Sequence, residues 1–259
     1  MSGRIEYKYL VPNELMGRLR AEILPYVVPD LPPGDGVSSE YTVRSVYYDS
    51  PNFDCYNEKV DGLKMRNKFR IRGYGHGGTR SVVFLEIKRK SEAFILKHRA
   101  PLAHDDVAAF FATRDVDRYI GGSRGSGRER EDARRFLYHY GRHTLRPAVL
   151  VVYDREAFAG KFDSSLRVTF DKNVRGRAFP TLDELFDDAL LVNALRGHFI
   201  FEVKFFRYAL PMWVRTIVRR YELPRMALSK YAMCLDTTAV ERSSWAVERR
   251  QFALIRGLA

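Results

Sequence analysis

The chain has 259 residues, 46% of them hydrophobic, with 44 Lys and Arg against 32 Asp and Glu, for a net charge of +12. That length and apolar content allow one domain with a substantial core, and the charge is threaded through apolar segments, which argues against a disordered basic arm. Cys55 and Cys234 stand alone, with no Cys-x-x-Cys or Cys/His cluster, so a disulfide framework and a zinc site are excluded.

No apolar run reaches the roughly 18 residues that a membrane-spanning helix requires. The first residues carry no apolar leader, so a reducing cytoplasm is expected. The basic excess calls for an acidic partner, whether nucleic acid, anionic membrane or a phosphate-rich molecule.

In chain order, Arg4 to Leu10 alternates charged and apolar residues and predicts a strand, with Arg4, Glu6 and Lys8 on one face. Pro12 and Asn13 open a helix with Leu15, Leu19 and Ile23 at helical spacing. Tyr41–Asp49 is a second strand, Pro51–Asp61 a helix, and Met65–Tyr74 a third strand. In this third strand Arg66, Lys68, Arg70 and Arg72 share one face, opposite Phe69 and Ile71. Gly73, Gly75, Gly77 and Gly78 form a connection without the pattern of a phosphate loop.

Ser81–Lys90 is the fourth strand, with Phe84, Glu86, Lys88 and Lys90 on one face, and Phe94–Arg99 a fifth carrying Lys97 and Arg99. Helices are expected over Asp105–Thr113 and Glu129–Tyr140, with a Gly/Ser/Arg loop from Gly121 to Gly127 before the second. Pro147–Phe158 and Leu166–Arg175 are strands, the latter with Arg167, Thr169 and Asp171 on one face. Leu182–Leu191 is expected to be a helix capped by Thr181. Phe199–Phe206 is the eighth strand, with Glu202 and Lys204 together. Pro211–Tyr221 and Leu228–Leu235 follow as short helices, and Val240–Leu258 as a basic amphipathic helix. No linker divides the chain, so residues 1–259 are read as a single domain.

Charged faces recur on six of the eight strands. A one-sided sheet would put them in water. A closed or nearly closed barrel turned inside out would instead point them into a lumen, with the apolar faces outside under the helices. An α+β fold with an eight-stranded antiparallel tunnel is therefore expected. Such a lumen suits a phosphate chain, because Arg gives bidentate contacts and Lys a point charge. Its carboxylates would hold Mg²⁺ or Mn²⁺, or serve as ion-pair partners for neighbouring cations.

The segments Arg4–Tyr9, Val43–Asp49, Lys68–Gly75, Phe84–Lys90, Val152–Phe158, Leu166–Asp171, Phe201–Phe205 and Ser229–Tyr231, in this order, resemble the triphosphate tunnel metalloenzyme (CYTH-like) superfamily. Within it they resemble the VTC-type polyphosphate polymerase domain. The resemblance implies a nucleoside triphosphate held by its phosphates, with ATP the expected donor, and transfer of the terminal phosphate to inorganic polyphosphate. It implies phosphate binding by Lys8, Arg70, Arg72, Lys88, Arg99, Arg155, Arg167, Lys204 and Lys230. Glu202, Glu86 and Glu6 would be metal ligands for Mn²⁺ or Mg²⁺, and Lys230, Arg155 and Glu202 would act in catalysis.

The hydrolytic branch typically begins Glu-x-Glu-x-Lys, whereas Arg4 stands here at the first Glu, which favours polymerisation. A polyphosphate or inositol-phosphate sensor and a tripolyphosphatase are the alternatives. Nucleic acid is not expected, because aromatics for base stacking lie opposite the basic faces. A membrane-protein partner is compatible with the chain.

Overall fold

The computed structural model describes residues 5–30, 40–78, 81–91, 94–120, 126–206 and 210–239. Arg4, the loop residues 31–39 and 121–125, and the expected C-terminal helix 240–259 lie outside them. The strands are β1 (Ile5–Pro12), β2 (Val27–Pro29), β3 (Glu40–Asp49), β4 (Met65–Tyr74), β5 (Val82–Ser91), β6 (Phe94–Ala103), β7 (Arg146–Gly160), β8 (Arg167–Ala178), β9 (Val192–Asn193) and β10 (His198–Phe205). The helices are α1 (Met16–Ile23), α2 (Asp54–Val60), α3 (Val107–Thr113), α4 (Val116–Tyr119), α5 (Gly127–Arg142), α6 (Met212–Arg220) and α7 (Lys230–Ala239). The short elements β2, β9 and α4 are not visible in the sequence pattern, being too brief to show a period.

All pairings are antiparallel, and the eight long strands run in the order β1-β10-β8-β7-β3-β4-β5-β6. The expectation of a barrel holds in part. The sheet curls until β1 reaches β5 through its side chains, with Lys88 Nζ 3.0 Å from Glu6. Among the described residues, however, no backbone pairing joins β1 to β6. The chemistry of the β6 edge explains this. The Arg99 amide donates to Asp132 of α5 at 2.9 Å instead of to a strand. Two residues on, Pro101 has no amide to donate.

The inside-out arrangement is as the alternation predicts. Phe69, Ile71, Leu85 and Ile87 pack outward against α3 and α5. Phe201, Val203, Phe205 and Val168 pack outward with residues of α1 and α6. Over β7 and β8, α7 lies on the inner face instead, where Tyr231, Cys234 and Leu235 cover Val149, Val151 and Val174. A bulge in β8 at Asn173, which has φ 51°, makes this possible. Asp154 pairs with Lys172 but Val152 pairs with Arg175, so the strand's alternation flips and Val174 and Gly176 face inward.

Helix α7 crosses closely at Gly176. A Cβ there would stand 2.6 Å from Cys234 Cβ. Gly176→Ala is therefore expected to push α7 off the sheet at a cost of roughly 1–3 kcal/mol. Thermal unfolding should show a fall of about 2–4 °C per kcal/mol, and an unchanged melting temperature would contradict this packing.

The expected helix Leu182–Leu191 does not form. Only a 3-10 turn, Asp183–Phe186, is present. Its acidic residues are pulled apart by arginines on the outer face of the sheet. Arg44, 1% exposed, donates to Asp188 at 2.8 Å and to the Gly75 carbonyl at 2.9 Å. Arg177 donates to Asp187 at 2.8 Å and to the Ala189 carbonyl at 2.9 Å. A buried guanidinium without an anion is costly, so these contacts override the helical spacing.

Candidate functional site: a cation-lined lumen

Strand register assembles the site. Lys8 lies opposite Glu202, and Glu6 opposite Lys204. Arg155 pairs with Asp171. Ser45 and Tyr47 lie opposite Arg72 and Arg70, which lie opposite Phe84 and Glu86. Glu86 in turn faces Arg99, and Lys88 faces Lys97. The period-two pattern of each strand thus becomes one continuous charged surface, in which cations outnumber carboxylates.

Two ion-pair centres organise it. Glu86, 1% exposed, takes Arg70 at 2.6 Å, Lys97 at 2.6 Å, Arg99 at 3.5 Å and Arg72 at 3.8 Å. Burial alone would raise the Glu86 pKa, but Arg70, Arg72 and Lys97 outweigh it and hold the carboxyl far below its usual range. The second centre is Asp171, wholly buried. It accepts two hydrogen bonds from Arg155, at 2.6 and 2.8 Å, and one from Lys230 at 2.5 Å. Here too burial raises the pKa, while Arg155 and Lys230 bring it well below normal. Lys230 also sits 4.6 Å over the Tyr153 ring.

Glu6 and Glu202 form a third group. With Lys8 opposite Glu202 and Glu6 opposite Lys204, the two carboxylates are diagonal neighbours on the lumen face. Lys8 and Lys88 stand 2.9 and 3.0 Å from Glu6. Lys204 and Arg155 stand 3.3 and 3.7 Å from Glu202. Burial lowers the Lys204 pKa to about 8 despite Glu202 and Glu6, and lowers that of Lys97 to about 8 despite Glu86.

Beside this group opens a cavity of about 520 Å³. Its wall includes Lys59, Arg66, Lys68, Lys88, Lys90 and Arg225 around one carboxylate, Glu6. Lys68 makes no ion pair with a carboxylate among the described residues, and its ammonium donates to the Ser229 hydroxyl at 2.7 Å. Burial, followed by Lys8, Lys88, Arg66 and Arg70, presses its pKa well below normal. A buried ammonium among like charges favours an anionic ligand.

The lumen therefore brings together Lys8, Arg70, Arg72, Lys88, Arg99, Arg155, Lys204 and Lys230, with Glu6, Glu86 and Glu202. Arg167 departs from them. Its side chain is 45% exposed and bonds Asp30 at the rim. Arg99 lies flat on Phe84, 3.4 Å from the ring centre. Sequence reasoning passed over Lys68 as a ligand although it had placed it on the charged face. It also missed the cavity residues Lys59 and Arg225, which sit on a helix and a loop where no strand period marks them. No group of three or more His, Cys, Asp or Glu side chains suited to a metal occurs among the described residues.

Fold and lumen together define a curled antiparallel sheet whose inner face is dominated by cations. The family model of the VTC domain matches residues 3–239, and the chain belongs to that family. Comparison with curated proteins gives no match. Among solved structures, one from Hippeastrum described as a putative adenylyl cyclase with a dominant triphosphatase activity aligns with a TM-score of 0.47 and 11% identity. The alignment covers 91% of this chain and 96% of that one. The likeness is too remote to carry an argument. No described helix is long and apolar enough to cross a membrane.

Proposed function

We propose that the chain is a metal-dependent polyphosphate polymerase, moving the terminal phosphoryl group of a nucleoside triphosphate, expected to be ATP, onto a growing inorganic polyphosphate chain. The observation that carries this reading is the cavity bounded by Lys8, Lys68 and Lys88, which adjoins the carboxylate pair Glu6 and Glu202. The lysines offer charge to a line of phosphates, and Arg70, Arg72 and Arg155, preset by Glu86 and Asp171, offer planar bidentate donors. Such prepositioned cations stabilise charge that develops on the transferred group without reorganising.

Glu6 and Glu202 fit Mg²⁺ or Mn²⁺, which take one or two carboxylates and complete their shell with phosphate oxygens and water. Bound there, the ion would neutralise phosphate charge and align donor with acceptor. Glu86 is assigned to positioning, since four cations converge on it, against two each on Glu6 and Glu202. Lys230, held between Asp171 and Tyr153, is assigned to the transferred phosphate.

The test is incubation of the purified protein with ATP and Mn²⁺ or Mg²⁺, followed by gel staining for polyphosphate and a free-phosphate assay. A ladder of long chains supports the polymerase. Free phosphate alone would move the protein to the tripolyphosphatases, and tight binding of ATP or polyphosphate without turnover would make it a sensor.

Affinity should also depend on pH in a defined sense. Lys204 and Lys97 lose their protons above about pH 8 in the free protein, and a bound phosphate chain pulls those protons back. Tripolyphosphate affinity is thus expected to fall as pH rises past about 8. Calorimetry at that pH, in buffers of different ionisation heat, should record proton uptake on binding. The contribution of these two lysines to the stability of the free protein moves the other way. Unfolded, with pKa about 10.4, they bind more protons than when folded, so their contribution rises between about pH 8 and 10.4.

A further inference from the structure

Helices α1 and α6 cover the outer face of β1, β10 and β8, far from the lumen chemistry. Their ends meet at one corner, where Tyr26 and Trp213 stack with ring centroids 4.7 Å apart and planes 3° from parallel. The turn between β7 and β8 is fastened to the same corner. The Lys161 amide donates to the Tyr26 carbonyl and its ammonium to the Leu24 carbonyl, each at 2.9 Å. That fastening presents the next residue, Phe162, which is 86% exposed. Met212, beside Trp213, is 70% exposed, and Leu24 is 44% exposed. Large apolar side chains scattered singly need no explanation, but a group gathered at one corner does.

The exposed cation nearest the group is Arg215, one turn along α6 from Met212, which makes no ion pair among the described residues; Arg18 and Arg219 lie farther along the two helices. Glu22, on the same pair of helices, is taken by Arg220 and Tyr221. Asp163 is taken up within its own turn by Ser165. Aromatic and aliphatic tips beside an unpaired arginine match the boundary of a bilayer, where rings and thioether enter the headgroup region and the guanidinium meets phosphate.

We propose that this corner seats the protein on a lipid surface bearing anionic headgroups. The seat is peripheral and reversible, since it consists of a few side chains and no spanning helix. It places the lumen next to a membrane without using any residue of the lumen, and it holds whichever reaction the lumen performs.

The test is co-sedimentation of the full chain with vesicles of phosphatidylcholine alone and with about a third phosphatidylglycerol, at low and high salt, because screening separates headgroup attraction from apolar insertion. The expected result is binding to the anionic vesicles only, weakened at least tenfold by Phe162→Ser with Met212→Ser and also weakened by Arg215→Ala with Arg219→Ala. All four side chains are exposed, so the variants should melt like the parent, and their phosphate binding should be unchanged. Absence of binding to anionic vesicles would overturn the proposal. So would binding that survives both double variants, since adsorption would then be through the basic cavity. A parent dimer that the Phe162/Met212 variant dissolves would reassign the corner to a second copy of the chain.

Discussion

Glu202→Gln is expected to reduce turnover by on the order of 100-fold or more, the scale on which a single electrostatic element of a transfer site acts, while triphosphate affinity changes little. The asymmetry follows from position. Glu202 lies 3.3 Å from Lys204 and 3.7 Å from Arg155, beside Glu6. Neutralising it leaves every cation in place for binding, and even relieves a repulsion between phosphate and carboxylate. What it removes is half of the paired carboxylate set that suits a divalent ion. The measurement is a comparison of turnover across a Mn²⁺ titration with triphosphate affinity measured by calorimetry. Turnover and metal dependence like those of the parent would remove Glu202 from the reaction. A loss of affinity equal to the loss of turnover would make it a structural residue.

Glu86→Ala should act on the fold first. Four cations converge on this one buried carboxylate. Removing it leaves the largely buried Arg70 and Arg72 without their anion, while Lys97 and Arg99 reach solvent, and breaking a buried ion-pair centre from one side costs about 3–5 kcal/mol. At about 2–4 °C per kcal/mol, the melting temperature should fall by roughly 6–20 °C.

The wild-type carboxyl titrates far below its usual range, so its stabilising contribution is present above the unfolded pKa of about 4.3. It is lost only as pH falls through the depressed folded value. The difference in melting temperature between parent and variant should therefore persist from neutral pH down past about 4. Addition of tripolyphosphate should restore part of the stability, because the ligand supplies the missing negative charge. If Glu86 were instead a metal ligand, the conservative Glu86→Gln would shift the Mn²⁺ dependence of turnover, and this is the result that would overturn the positioning role.

Much of the lumen was legible because a strand has a period of two. Once Lys68, Arg70 and Arg72 alternate with Phe69 and Ile71, their common face is fixed, and the same holds for Glu86 with Lys88 and for Glu202 with Lys204. The residues that were not legible lie where that period is absent or broken. Arg225 is in a loop and Lys59 on a short helix, and only the curl of the sheet carries them to the cavity. The bulge at Asn173 reverses the faces of β8, so Val174 turns inward, which no alternation count reveals. Leu182–Leu191 carried helical spacing and still formed only a turn, because Arg44 and Arg177 required its carboxylates.

The sequence by itself determined the eight long strands and their charged and apolar faces. Those results rest on local geometry, in which side-chain direction follows from backbone period alone. Tertiary structure decided which carboxylate meets which cation, that Arg167 turns away to Asp30, and that the sheet curls without closing. These outcomes depend on contacts between residues far apart in the chain. The desolvation of a charge and the nearness of its partner are properties of the assembled lumen, and no single strand contains them.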